Sequence, residues 1–384
     1  MRIADRVATL PPYVFATIEQ RIAAARASGV DVISLGVGSP DLPPPPHIID
    51  ALCAAASRPD THGYAGYFGT PALRGAIATY YARRFGVSLD PEREILPLLG
   101  SKEGLANMAL AFVDPGDVVL APDPGYPTYR MGAIMAGGAY HPLPLRAERG
   151  YLPVLDAVPG DVTKRATLLW LNYPNNPTGA CASREFLAEA VAYCREHDIV
   201  LGYDNAYCDV TYEGYVAPSI LEVPGASEVA VEFNSLSKTY NMAGWRVGMA
   251  VGNAQALRAL ATIKTNVDSG MFRAVQDAAA TALLGDQDWL AERNRTYERR
   301  RDAVLEWLPA AGLAADKPLG GLYVWARTPA GVDAEAWAIS ALERTGVWLT
   351  PGTAFGPHGA GHLRISICVP EERLREAGKR LSAL

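Results

Sequence analysis

Residues 229–251 read Val-Ala-Val-Glu-Phe-Asn-Ser-Leu-Ser-Lys-Thr-Tyr-Asn-Met-Ala-Gly-Trp-Arg-Val-Gly-Met-Ala-Val. Two apolar runs, Val229 to Phe233 and Arg246 to Val251, predict strands. Between them lies Lys238, set among Ser235, Ser237 and Thr239 in a chain where arginine is the usual cation. An amine at the mouth of a sheet, with hydroxyls and the Arg246 guanidinium near, suits a carbonyl cofactor that carries a phosphate. Lysine forms a Schiff base with the carbonyl, and Ser235, Ser237 and Arg246 take phosphate oxygens. A surface loop with an exposed lysine is the competing reading of these residues alone.

Working outward, strands and helices alternate from about residue 46 to 285, the pattern of a mostly parallel α/β sheet. Strands are expected at 118–121, 167–171, 199–203, 229–233 and 247–251, and helices at 71–84 and 101–112. Open sheets of this kind bind ligands beyond the carboxyl ends of their strands. Before this region lie an extended arm ending in Pro11-Pro12, a helix over 15–27 and a short strand, 32–35. After it, an arginine-rich helix over 286–308 leads to strands at 321–326, 347–349 and 363–368. The organisation is therefore 1–45 as arm and part of a small domain, 46–285 as the large domain, and 286–384 as the rest of the small one. The run Arg299, Arg300, Arg301 reads as a solvated helix face.

The strand ends carry complementary chemistry. Asn172 to Gly179 reads N-Y-P-N-N-P-T-G, a turn that fixes Asn176. Asp204, at the end of an apolar strand, needs a partner such as a protonated ring nitrogen, and Tyr207 is poised for a phenolic oxygen on the same ring. Gly100-Ser101-Lys102 opens a helix whose free N–H groups suit an anion. Arg364, within a strand, can grip a carboxylate with two prongs. Taken singly, each has a structural alternative: a turn, a cap or a salt bridge.

Composition narrows the classes. The chain has 384 residues, 49% hydrophobic and 20% charged, with a formal net charge of −6. That balance argues against a nucleic-acid surface. Five dispersed cysteines fit neither a disulfide framework nor a zinc site. His358 and His362 are separated by Gly-Ala-Gly, so no metal is expected there. Without a secretory signal or a bilayer-length apolar run, no membrane partner is expected, and a cytoplasmic location is.

The motifs L-G-V-G-S-P-D, Tyr64 to Arg74, G-S-K-E-G, D-P-G-Y-P-T-Y, N-N-P-T-G, D-N-A-Y, S-L-S-K and L-R-I-S occur in that order. The chain resembles the class I (fold type I) pyridoxal-phosphate aminotransferases from Pro12 almost to its end. Within them it is most similar to the branch of LL-diaminopimelate and aspartate or alanine aminotransferases. The resemblance implies a large domain with a mostly parallel seven-stranded sheet between helices, a smaller α/β domain, and a homodimer with shared active sites. It implies that Lys238 binds pyridoxal 5′-phosphate covalently and moves the substrate proton, and that Asp204 faces the ring nitrogen. Asn176 and Tyr207 would bond the 3′ oxygen, and Tyr126 would stack on the ring. Ser101, Lys102, Ser235, Ser237 and Arg246 would hold the phosphate, joined by Tyr64 of a second subunit. Gly38, Asn176 and Arg364 would receive the substrate carboxylate.

The expected reaction moves an amino group between an L-amino acid and a 2-oxo acid by a ping-pong cycle, with glutamate and 2-oxoglutarate as one pair. Diaminopimelate-processing members tend to have a carboxylate shortly after the position of Tyr64. Here Tyr67 and Phe68 stand there, and with Tyr13, Phe15 and Tyr240 they suggest an aromatic wall for uncharged side chains. Lys102 points instead to a second substrate carboxylate. A carbon–sulfur β-lyase acting on cystathionine-like substrates is the alternative activity, and a cofactor-binding regulator a more remote one.

Overall fold

The structure, a computed structural model, describes residues 1–384 apart from the side chain of Asp5. Its centre is a seven-stranded sheet in the order 95–98, 248–252, 230–235, 200–204, 166–172, 118–123 and 139–144. Strands 118–123, 139–144, 166–172, 200–204 and 230–235 run parallel, and 248–252 runs antiparallel to both its neighbours. The sequence pattern leaves out the two edge strands, Ile95–Leu98 and Ala139–Pro144. They contain Pro97, Pro142 and Pro144, which speak against strands in general but are tolerated at an edge, where one side of the ladder needs no N–H donor.

Helices cover both faces. Trp170 and Phe233, fully buried, project from adjoining parts of the sheet, with ring centroids 5.4 Å apart. Trp170 also stacks on Tyr129, at 5.2 Å and 17°. Such offset aromatic contacts fix ring orientation as well as burying area, and Tyr129 uses that fixed pose in the site described below.

A second, antiparallel sheet has the order 350–351, 362–366, 323–327 and 314–315. The early strand Ile33–Ser34 pairs with Val347–Trp348, tying the N-terminal segment to this C-terminal part of the chain. The helix Trp289–Trp307 lies between the two regions in sequence.

Three expectations are corrected. The first residues include a short helix, Asp5–Thr9, rather than a wholly extended arm. It stops just before Leu10, whose following proline disfavours helical backbone. Arg300 and Arg301 are buried, and only Arg299 of that run is exposed. Their donors are met by Asp41 and by Glu213 and the Pro318 carbonyl. Tyr240 is likewise buried away from any wall of the site, bonding Gln287 and packing near Trp289.

Candidate active site

A cavity of about 360 Å³ opens at the carboxyl ends of the parallel strands and extends to the second sheet. Every site residue expected from sequence lines it except Tyr64.

Lys238 reaches it from the short helix Leu236–Thr239, which Ser235 caps by accepting from Ser237 N at 3.2 Å. Its amine donates to the Gly38 carbonyl at 2.6 Å. Burial, with Arg364 and Arg246 acting the same way, pulls its pKa down to about 8 against the opposing pull of Cys368 and Asp204. The amine is therefore available as a nucleophile and base close to neutrality.

Asp204 ends the strand Val200–Asp204. Its Oδ2 accepts from the Tyr129 hydroxyl at 2.7 Å, and its backbone carbonyl accepts from Asn172 Nδ2 at 2.7 Å. Oδ1 is buried and has no partner among the described residues. Burial raises this carboxyl to about pH 6, although the Tyr129 bond, the Ala206 N–H and Lys238 all favour its charge. A buried carboxylate oxygen left open toward a cavity calls for a cationic donor.

At another end, the helix Ser101–Phe112 begins after Gly100 without a side-chain cap, so its first N–H groups are open to a ligand. Arg246 lies over that turn: a Cβ on Gly100 would stand 2.1 Å from Arg246 Nη2, and Gly100 has φ +79°. The positive φ favours glycine there, and a side chain would push the Arg246 guanidinium off the turn. Arg246 itself holds a left-handed backbone, φ 61°, and donates to the Ala243 carbonyl at 2.8 Å. With Ser235 and Ser237 alongside, the cradle suits a dianion.

Arg364 stands across the cavity on the strand His362–Ser366. It donates to Asn176 Oδ1 at 2.8 Å and to the Gly36 carbonyl at 2.5 Å, and its Nε has no partner among the described residues. Its charge lies 4.1 Å and 4.5 Å from the ring centres of Tyr323 and Phe355. Among the described residues no carboxylate pairs with it, which removes the salt-bridge alternative and leaves a buried cation suited to an incoming anion. Gly38 is close-packed here, because a Cβ would lie 1.9 Å from the Tyr323 hydroxyl.

Several lining residues were not singled out from sequence. Asn172 braces both Asp204 and, through Oδ1, the Asn176 N–H at 2.8 Å; its place at the head of N-Y-P-N-N-P-T-G was the available signal. Tyr323 bonds Tyr207, hydroxyl to hydroxyl, at 3.0 Å. Glu19 lines the cavity from the helix Val14–Ala27, four residues beyond Phe15 and so on the same face. By contrast, Tyr64, Tyr67 and Phe68 are exposed and do not line their own chain's cavity.

The residues fit pyridoxal phosphate: an amine for the aldehyde, a hydroxyl and an amide for the phenolic oxygen, a carboxylate for the ring nitrogen and an anion cradle for the phosphate. The model for "Aminotransferase class I and II" matches residues 30–381. The chain belongs to the class I and II aminotransferases. It is thus a pyridoxal-phosphate-dependent transaminase of fold type I, whose substrates are amino acids and 2-oxo acids. Among curated relatives, the LL-diaminopimelate aminotransferase of Moorella thermoacetica is 50% identical, over 99% of this chain and 98% of its own. That of Desulforudis audaxviator is 52% identical, over 98% and 96%. Among solved structures, apo-BacF from Bacillus subtilis superposes with a TM-score of 0.96 at 39% identity, covering 100% of this chain and 98% of BacF. Among the described residues of this aminotransferase, no helix is long and apolar enough to cross a membrane.

Proposed function

We propose that the chain transfers an amino group from LL-diaminopimelate to 2-oxoglutarate. The observation that carries this is the placement of two opposite charges, Glu19 and Lys102, in the cavity that also holds Arg364. Diaminopimelate presents an ammonium and a carboxylate at its far end, so a site that grips its near carboxylate needs both signs beyond. Phe15 lies 5.4 Å from the Arg364 guanidinium. Glu19 follows one helical turn later, about 6 Å along the axis. Lys102 rests its amine over the Tyr13 ring at 4.2 Å. The names of the relatives at 50% and 52% identity support the same donor. The acid-free stretch around Tyr67 and Phe68, exposed like Tyr64, meets the site only from a second copy, whereas Glu19 stands within the cavity itself. No observation favours the carbon–sulfur lyase.

Bound pyridoxal phosphate supplies an electron sink that acidifies the substrate's α C–H bond. The chain does the rest. Lys238 holds the aldehyde, then uses its freed amine, neutral above about pH 8, to take the α-proton and hand it on. Asp204 Oδ1 would keep the ring nitrogen protonated. Tyr207 and Asn176 would bond the phenolic oxygen, and Tyr126 would lie against the ring. Ser101, the Lys102 N–H, Ser235, Ser237 and Arg246 would hold the phosphate. Arg364, with Gly38 and Asn176, orients the α-carboxylate of donor and acceptor alike. Tyr64, 92% exposed on its own chain, serves the site of a second copy, making the working unit a homodimer.

The test is kcat/KM for LL-diaminopimelate, glutamate, aspartate, alanine and phenylalanine as donors. Diaminopimelate is expected to lead. A lead by phenylalanine or alanine would refute the reading of Glu19 and Lys102.

A further inference from the structure

The helix Trp289–Trp307 buries arginines at 293, 300 and 301. A spacing of seven residues returns to nearly the same helical face, so Arg293 and Arg300 form one stripe, with Arg301 beside it. A guanidinium is stable in such a place only when its donors are met. Arg293 meets them largely with backbone. Its Nη1 donates to the Lys238 carbonyl at 3.0 Å and to the Thr239 carbonyl, and its Nη2 donates to the Asp209 carbonyl at 2.5 Å. Its neighbour Asn294 accepts from Nη2 at 2.7 Å and donates to the same Asp209 carbonyl at 2.9 Å. One cation thus clamps the end of the short helix bearing Lys238 to the loop bearing Tyr207, two residues before Asp209.

Two turns along, Arg300 makes a two-pronged pair with Asp41, at 2.7 Å and 2.9 Å. Asp41 closes the loop whose Gly38 carbonyl receives the Lys238 amine at 2.6 Å. Lys238 is therefore held at both ends, its carbonyl by Arg293 and its amine by a loop that Arg300 anchors.

We propose that Arg293 and Arg300 are positioning residues for transamination, fixing through one rigid helix where the Lys238 amine stands. The proposal rests on the assignment of Lys238 as the amine that binds the cofactor and moves the proton. Neither arginine lines the cavity. Their effect is on geometry, and displacement of a reacting group by 1 Å can cost about a hundredfold in rate. Lysine at either place keeps the charge but not the fork that bridges two loops or grips both carboxylate oxygens.

The experiment compares wild type, Arg293→Lys, Arg300→Lys and Asp41→Asn as full-length protein loaded with pyridoxal phosphate. It reads the pH midpoint of the visible absorbance band, kcat and KM for the best donor, and the melting temperature. The expected result is a midpoint shift of about 0.5 pH unit or more, with kcat down about tenfold or more and KM altered less than about twofold. Asp41→Asn should move the midpoint in the same direction as Arg300→Lys. If Arg293→Lys fails to fold, the other two variants carry the test, since they act from the Gly38 loop and the Ile367 carbonyl rather than on the helix that bears Lys238. A lowered melting temperature with unchanged midpoint and kcat would overturn the proposal and leave the stripe as scaffolding. A wild-type protein with no visible band would overturn the Lys238 assignment as well, so the two failures are told apart.

Discussion

The Tyr129 hydroxyl donates to Asp204 Oδ2 at 2.7 Å, while Asp204 Oδ1 is buried and, among the described residues, unpartnered. One oxygen is thus fixed by the protein, and the other is left open in a residue that lines the cavity. Because Tyr129 is stacked on Trp170, the pose of a site carboxylate depends on packing beneath the sheet. Tyr129→Phe should cost about 1–3 kcal/mol of stability, the penalty of leaving a buried acceptor unmet. It should also raise the Asp204 pKa further, since the bond favours the charged form. Urea midpoints measured with and without cofactor check both effects.

Asp204→Ala should keep some affinity for pyridoxal phosphate, through the phosphate cradle and Lys238, yet lose about a hundredfold or more in kcat. Turnover near that of wild type would remove Asp204 from the mechanism.

The cofactor-free protein gives a pH test with a definite sign. The Asp204 carboxyl is raised from 3.8 to about 6 in the fold. It therefore adds stability that is complete below about pH 4 and is lost as pH rises through about 6. At pH 8 its buried charge costs up to about 3 kcal/mol. Asp204→Asn should accordingly stabilise the cofactor-free chain at pH 8 and flatten its stability between pH 4 and 6. A residual slope should remain from Glu232, which burial raises to about 7.

Loading has the opposite dependence. Only the neutral Lys238 amine attacks an aldehyde, and its pKa is lowered to about 8. The rate at which cofactor-free protein gains its visible band should climb with pH and level off above about 8. A rate independent of pH between 6 and 9 would contradict the assignment.

Donor choice can be separated from chemistry. Glu19→Gln should cut kcat/KM for LL-diaminopimelate by about tenfold or more, as expected for loss of a charge-assisted contact, while leaving glutamate within about threefold. Steady-state kinetics with both donors decide it.

The sequence was most informative where chemistry and chain order coincide. Asp204 and Arg364 sit in strands, and Lys238, Asn176 and Arg246 in the turns beside them, so motif spacing was enough to bring them together. The sheet's inner strands were legible from apolar runs, whereas its edge strands were obscured by prolines, which count against a strand in sequence. Tyr129, Tyr323 and Arg293 were missed for another reason. Each acts through a partner more than fifty residues away, Asp204, Tyr207 and Lys238, and local pattern carries no sign of such pairings. The arginine run at 299–301 misled for the same cause: a charged helical stretch looks solvated until the distant Asp41 and Glu213 are placed beside it.

The most direct measurement is the visible spectrum of the loaded protein, recorded after LL-diaminopimelate is added alone and again after 2-oxoglutarate. The account predicts a band that disappears with the donor and returns with the oxo acid. A band that persists with diaminopimelate but is lost with phenylalanine or alanine would contradict the proposed donor. Absence of any band after added pyridoxal phosphate would contradict the role of Lys238 on which the account stands.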